Sequence, residues 1–186
     1  DAVIRVNSQS GKGGIAYLLE TEYGVELPRR VQIDLARHVQ AHTDATGDEI
    51  TSAELWEIFE KAYLREEPNG IELVDYHTAD AGAATRIALR IDGEEHTSEH
   101  REVGPVEALV TALIPHGIDL EVLSLHQTSV QAGAGSDALT ILECRIGDEI
   151  RWSAGRDRSV LTASLNAAIR AVRRVRRVRR HVESLS

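Results

Sequence analysis

The sequence predicts an α+β fold: a small helical linker subdomain over residues 1–67, then a domain over residues 71–186 made of two pseudo-symmetric βββα units. Three observations predict it. Apolar residues recur at helical spacing between Val31 and Tyr63. Two similar strand-like stretches follow, about 50 residues apart. Each of these ends in a second helical stripe.

Taken in order, Ser8-Gln9-Ser10-Gly11-Lys12-Gly13-Gly14 is turn chemistry, followed by the short apolar run Ile15-Ala16-Tyr17-Leu18-Leu19. Pro28 is acceptable near a helix start, and Val31, Leu35 and Val39 then share one helix face. The polar stretch Thr43–Glu49 ends that helix. Thr51 with Glu54 three residues later is a capping box, opening a helix with Leu55, Trp56, Phe59, Ala62 and Tyr63 along one stripe. Arg65-Glu66-Glu67-Pro68-Asn69-Gly70 breaks it and marks the domain boundary.

Ile71-Glu72-Leu73-Val74-Asp75-Tyr76-His77 resembles Leu120-Glu121-Val122-Leu123-Ser124-Leu125-His126. Ala84–Gly93 likewise resembles Leu139–Asp148, each expected to alternate apolar and polar residues before a Gly/Asp turn and another polar strand. Val106, Leu109, Val110 and Leu113 form the first closing helix; Leu161, Leu165, Ile169 and Val172 form the second. Neither unit buries its sheet alone, so the two are expected to pack face to face about a pseudo-twofold axis.

Composition bounds the function. No apolar run reaches the 18 or so residues of a membrane-spanning helix. The single cysteine, Cys144, excludes an intramolecular disulfide, a CxxC motif and a cysteine-rich zinc site, and fits a reducing, cytoplasmic compartment. No secretory signal pattern is visible, and the absence of methionine reads as a fragment of a longer polypeptide. The net charge is −9, yet residues 170–180 hold seven arginines; removing those seven positive charges leaves −16 on the rest. So acidic a body repels phosphate, so nucleic acid is not the expected partner.

The candidate chemistry is sparse. Ser10–Gly14 lacks the spacing of a phosphate loop. His38/His42 and His96/His100 have i, i+4 spacing, but no third ligand is nominated and no metal is expected. His38 and His42 are expected to interact with the C-terminal end of their own helix dipole. Cys144 is in phase with apolar neighbours and reads as a buried structural thiol. The run Arg173–Arg180, with valines at i, i+3, reads as a solvated helix whose cations suit the macrodipole. The more informative feature is the start of each closing helix, Gly104-Pro105 and Ser159, because free helix N–H groups attract carboxylates.

These residues carry a resemblance. Val3–Tyr17 with Leu27–Ile33 is similar to the linker region of 2-isopropylmalate synthases, closest to the actinobacterial form, and Trp56, Phe59 and Tyr63 match that family's next helix. Gly104-Pro105, Gly135-Ser136-Asp137-Ala138, Trp152-Ser153-Ala154-Gly155 and Thr162-Ala163-Ser164-Leu165 resemble its C-terminal regulatory domain. The resemblance implies a parent enzyme whose metal-dependent barrel condenses acetyl-CoA with 2-oxoisovalerate towards leucine. That barrel is absent here, so the fragment is expected to be inactive alone and to need no cofactor. The regulatory domain is implied to dimerise and to bind leucine as feedback inhibitor.

Carried over by position, the leucine site comprises Glu102, Gly104, Pro105, Val106 and Glu107 at the first helix, and Val122, Leu125 and Ser129 on the following strand. Ala132 comes from the loop beyond, and Val160 and Leu161 from the second helix start. The family's usual G-x-G-N-G-P is here His100-Arg101-Glu102-Val103-Gly104-Pro105, so two glycines and the asparagine are replaced. Three alternatives stand beside this reading: a related citramalate or homocitrate synthase domain, a dimerisation module without effector binding, and an RNA-binding module using the arginine helix.

Overall fold

The structure is a computed structural model that describes residues 3–5, 11–47, 49–67, 69–130 and 137–185, the side chains of 3–5, 11–12 and 177–180 excepted. Strand β1 (Val3–Arg5) pairs antiparallel with β2 (Glu49–Thr51). Between them lie helices α1 (Gly11–Tyr23) and α2 (Arg29–Thr46), and α3 (Ser52–Phe59) follows, ending in a π-helical turn, Glu60–Leu64. The Gly11–Gly14 stretch expected as a turn is the first turn of α1. Burial of Ile15, Leu18 and Leu19 on one helical face outweighs the poor intrinsic helix propensity of its glycines. Pro28 caps α2, and Val31, Leu35 and Val39 are buried as their spacing predicts. The helix runs on through Thr43 to Thr46, because Thr43 is itself buried, and stops at Gly47, whose φ is +112°.

The capping box at α3 forms as predicted. The Thr51 hydroxyl accepts the Glu54 amide at 3.1 Å and donates to its carboxylate at 3.1 Å. The stripe behind it stacks Trp56 between Tyr23 (ring centroids 4.7 Å) and Phe59 (5.2 Å), and Tyr63 meets Phe59 edge-on at 5.1 Å.

The first unit is a meander of β3 (Ile71–Ala79), β4 (Ala84–Ile91) and β5 (Glu94–Arg101), closed by α4 (Pro105–Leu113). The second is a meander of β6 (Leu120–Val130), β7 (Asp137–Ile146) and β8 (Glu149–Asp157), closed by α5 (Val160–Leu185). The repeat extends to an irregularity: the register slips between Leu73 and Asp75 in the first unit and between Val122 and Ser124 in the second, at matching positions. Asp92-Gly93, both with positive φ (50° and 88°), make the two-residue turn of a type I′ hairpin.

The inner faces of both sheets meet α4 and α5 in one core containing Ile71, Ile87, Leu89, Leu109, Leu113, Leu142, Cys144, Leu165 and Val172. The outer faces differ. On the first sheet the outer face is charged, with Arg90 bonded to Glu72 (3.0 Å) and Arg101 to Glu99 (3.3 Å). On the second it is covered by the N-terminal helices, and Val130, Leu139, Ile141 and Ala154 join the core of α1–α3. Strand β7 is therefore buried on both faces and does not alternate as expected: Thr140 and Glu143 are buried too. Glu143 is tolerated there because the Arg30 guanidinium reaches it at 2.7 Å.

Candidate effector site at the seam of the two units

Helix α4 begins as its sequence predicts, with Gly104 at the N-cap and Pro105 in the first turn, where its missing N–H costs no hydrogen bond. Gly104 brings no side chain to cap the helix. At the other helix start, the Ser159 hydroxyl accepts the Thr162 amide at 3.3 Å, and the Ser159 amide donates to Asp157 at 2.8 Å. The two ends are thus chemically unequal: one is capped by its own side chains and the other is not.

Four of the sequence-predicted residues border the core shared by the two units. Val106 from α4, Val122 and Leu125 from the inner face of β6, and Leu161 from α5 are all half-buried against the core shared by the two units. Four others, Glu102, Glu107, Ser129 and Val160, are exposed, Val160 by 45%. Ala132 and Gly135-Ser136 lie outside the described residues. Glu102 occupies a special place: its φ is +59°, and its amide donates to the Ala83 carbonyl at 2.8 Å. A left-handed backbone is natural for the glycine that the resemblance puts here and strained for a glutamate.

Hydrogen-bonding groups also lie on the inner faces of the two sheets. The Tyr76 hydroxyl on β3 lies 2.5 Å from Thr162 in the first turn of α5. Ser164, one turn of helix from Leu161, lies 3.1 Å from the Thr140 hydroxyl and accepts from Gln127 at 3.4 Å. None of these was nominated from sequence. The signal was available in the repeat itself, which aligns Tyr76 with Leu125.

The histidine pairs have other partners. His38 is 3.5 Å from Asp34 on its own helix and His42 is 3.3 Å from Glu54 on α3, so neither serves the α2 dipole, whose C-terminal end lies beyond them at Thr46. His96 and His100 point to the same side of β5, but four residues of strand separate their Cα atoms by about 13 Å, too far to share a metal. His96 instead packs on His116 at the end of α4 (centroids 4.5 Å), and His100 lies 2.7 Å from Ser98. Burial and the neighbouring His96 lower the His116 pKa. No cluster of three metal-type ligands occurs among the described residues.

The arginine run also departs from expectation. Arg170, Arg173 and Arg176 are not solvated: their side chains are only 11%, 16% and 21% exposed and bond to the chain around residues 66–71, to Ala154 and to Asp92. The valines Val172 and Val175 lie in the core as their spacing predicts. The parallel i, i+3 stripe of arginines beside them was equally legible.

Residues 49–176 match the family model of the LeuA allosteric (dimerisation) domain. The chain belongs to that family. Residues 1–20 match a second model, the alpha-isopropylmalate synthase post-catalytic domain-like region. The chain with this LeuA domain is 41% identical over 177 residues to the 2-isopropylmalate synthase of Parafrankia sp. (strain EAN1pec), covering 92% of this chain and 31% of that protein. It is 52% identical over 159 residues to that of Nocardia farcinica (86% and 24%) and 44% identical over 174 residues to that of Cupriavidus taiwanensis (91% and 30%). The chain thus spans about a quarter to a third of the length of these curated relatives, and the LeuA domain accounts for most of it.

Proposed function

We propose that this chain is the regulatory region of a 2-isopropylmalate synthase, that it binds leucine as feedback inhibitor, and that it dimerises. One observation carries the reading: Val106, Val122, Leu125 and Leu161 are all half-buried against the core shared by the two units, Val106 and Leu161 in the first turns of α4 and α5, and we read them as one apolar seam. Such a seam suits a branched aliphatic side chain, and the free N–H groups at the uncapped α4 end suit its carboxylate. Tyr76, Thr162 and Gln127 supply polar groups for the ammonium. Inhibition then follows if leucine binds one state of the parent enzyme better than another. The parent's condensation of acetyl-CoA with 2-oxoisovalerate, and its metal, belong to this proposal and to a catalytic part outside this chain.

A specific observation favours a second reading, a dimerisation module without an effector. Glu102 stands in a glycine's conformation and Glu107 adds a carboxylate to the first turn of α4, where a ligand carboxylate would be repelled. Calorimetric titration with leucine, against isoleucine and valine, decides between them. Saturable heat with leucine alone, abolished in Val160→Trp, supports the effector site. No heat at millimolar leucine from a folded dimer supports the second reading, and a sedimentation-equilibrium mass of one chain overturns dimerisation.

A further inference from the structure

The chain between the π-helical turn and β3 is held from a distance of about 100 residues. Arg173 of α5 is at the centre: its Nε donates to the Ile71 carbonyl at 2.6 Å, a terminal nitrogen donates to Glu66 at 2.9 Å, and its own carbonyl accepts from the Asn69 amide side chain at 2.6 Å. Arg170 bonds Glu66 as well, and its other terminal nitrogen donates to the Ala154 carbonyl at 2.8 Å. Arg176 donates to the Asn69 carbonyl at 3.0 Å and pairs with Asp92 at the tip of the β4–β5 hairpin. One helix face therefore satisfies the carbonyls of Asn69 and Ile71, the carboxylate of Glu66 and the amide of Asn69. These are charge-assisted bonds from largely buried guanidiniums onto the segment that joins the helical subdomain to the first βββα unit. The opposite end of the same helix carries Leu161 and Thr162, which face the candidate effector seam. Thr162 and Arg173 are eleven residues apart, about 16 Å of continuous helix.

We propose that Arg170, Arg173 and Arg176 form a clamp on the junction 66–71, latched through Glu66, and that α5 carries occupancy of the seam to the helical subdomain through it. The second half rests on the leucine reading above. A helix packed continuously from Ala163 to Val175 moves as a unit, so a ligand that shifts its first turn also shifts the arginines that hold the junction. Glu66 is the accessible part of the latch, 67% exposed, and its replacement leaves the core intact.

Amide hydrogen exchange on this chain, with Glu66→Ala and Arg173→Lys beside the parent sequence, tests both halves. Without leucine, Glu66→Ala is expected to speed exchange across 66–71 by about tenfold while the amides of β7 are unchanged; an unchanged junction overturns the clamp. With leucine, the parent junction is expected to exchange at least about threefold more slowly. Glu66→Ala should bind leucine with affinity within about twofold of the parent, yet show no junction response. Leucine binding with no junction response in the parent, or an equal response in both, overturns the coupling. A parent chain that takes up no leucine in calorimetry overturns the effector reading and the coupling with it, while the leucine-free exchange still decides whether the clamp stands.

Discussion

The Tyr76 hydroxyl of β3 and the Thr162 hydroxyl of α5 lie 2.5 Å apart, joining the first βββα unit to the helix that closes the second. The repeat places Tyr76 where the other unit has Leu125, so the pseudo-symmetry is broken by a hydrogen bond at the seam. Tyr76→Phe removes the bond and keeps the ring, and is expected to cost about 1 kcal/mol of stability in urea unfolding. Thr162→Val should cost a similar amount, and the two losses should not add, because both remove one contact.

Glu102 holds a φ of +59° that glycine adopts freely. Glu102→Gly is therefore expected to raise stability, by about 1 kcal/mol, against the usual direction for a glycine substitution. A higher denaturation midpoint checks it. If leucine binds, the same substitution should also tighten binding, since it removes a carboxylate from the approach to α4.

Gly155 on β8 faces α5 so closely that a Cβ would stand 1.8 Å from the Ala163 carbonyl oxygen and 2.8 Å from the Ala167 amide nitrogen. Both are backbone atoms and cannot swing aside. Gly155→Ala is expected to push α5 off its sheet and destabilise by about 3 kcal/mol. Thermal unfolding measures it.

Asp34 sits between His38, at 3.5 Å, and the Tyr63 hydroxyl, which donates to it at 2.6 Å. Burial raises the pKa of its carboxyl, but hydrogen bonds from His38 and Tyr63 and the charges of His38 and Arg37 more than offset this, so it falls below 3.8. A folded-state value below the unfolded one means the stabilisation is present above pH 3.8 and lost as pH falls through the folded value. Tyr63 shifts the opposite way: burial and Asp34 raise its pKa above 10.0, so its contribution is lost as pH rises beyond that. Asp34→Asn should flatten the acid limb of a stability-against-pH curve.

Cys144 is buried in the core of the two units, and burial pushes its thiol up to about 12, Arg151 opposing and Glu143 adding to the shift. The native protein is expected to resist alkylation at about pH 8 and to react fully once unfolded. Mass spectrometry before and after denaturation reads the outcome.

Much of this protein is legible along the chain. The Thr51 cap, the aromatic stripe from Trp56 to Tyr63, the Gly104-Pro105 and Ser159 helix starts, the turn at Asp92-Gly93 and the paired units depend on local backbone preferences or on periodicity. These are short-range properties, and neighbouring residues suffice to express them. The candidate site was legible only in part. Val106, Val122, Leu125 and Leu161 were named through the family resemblance, whereas Tyr76 and Gln127 enter because of where a distant helix passes. Tertiary structure alone decided three things. It covered one sheet on both faces and left the other half solvated, which broke the alternation of β7 and buried Glu143 against Arg30. It drew Gly11–Gly14 into a helix, because the buried face beyond it outweighed its local turn preference. And it turned the arginines of α5 inward, because the carbonyls of Asn69, Ile71 and Ala154 need donors, and only contacts between residues far apart in the chain bring those donors to them.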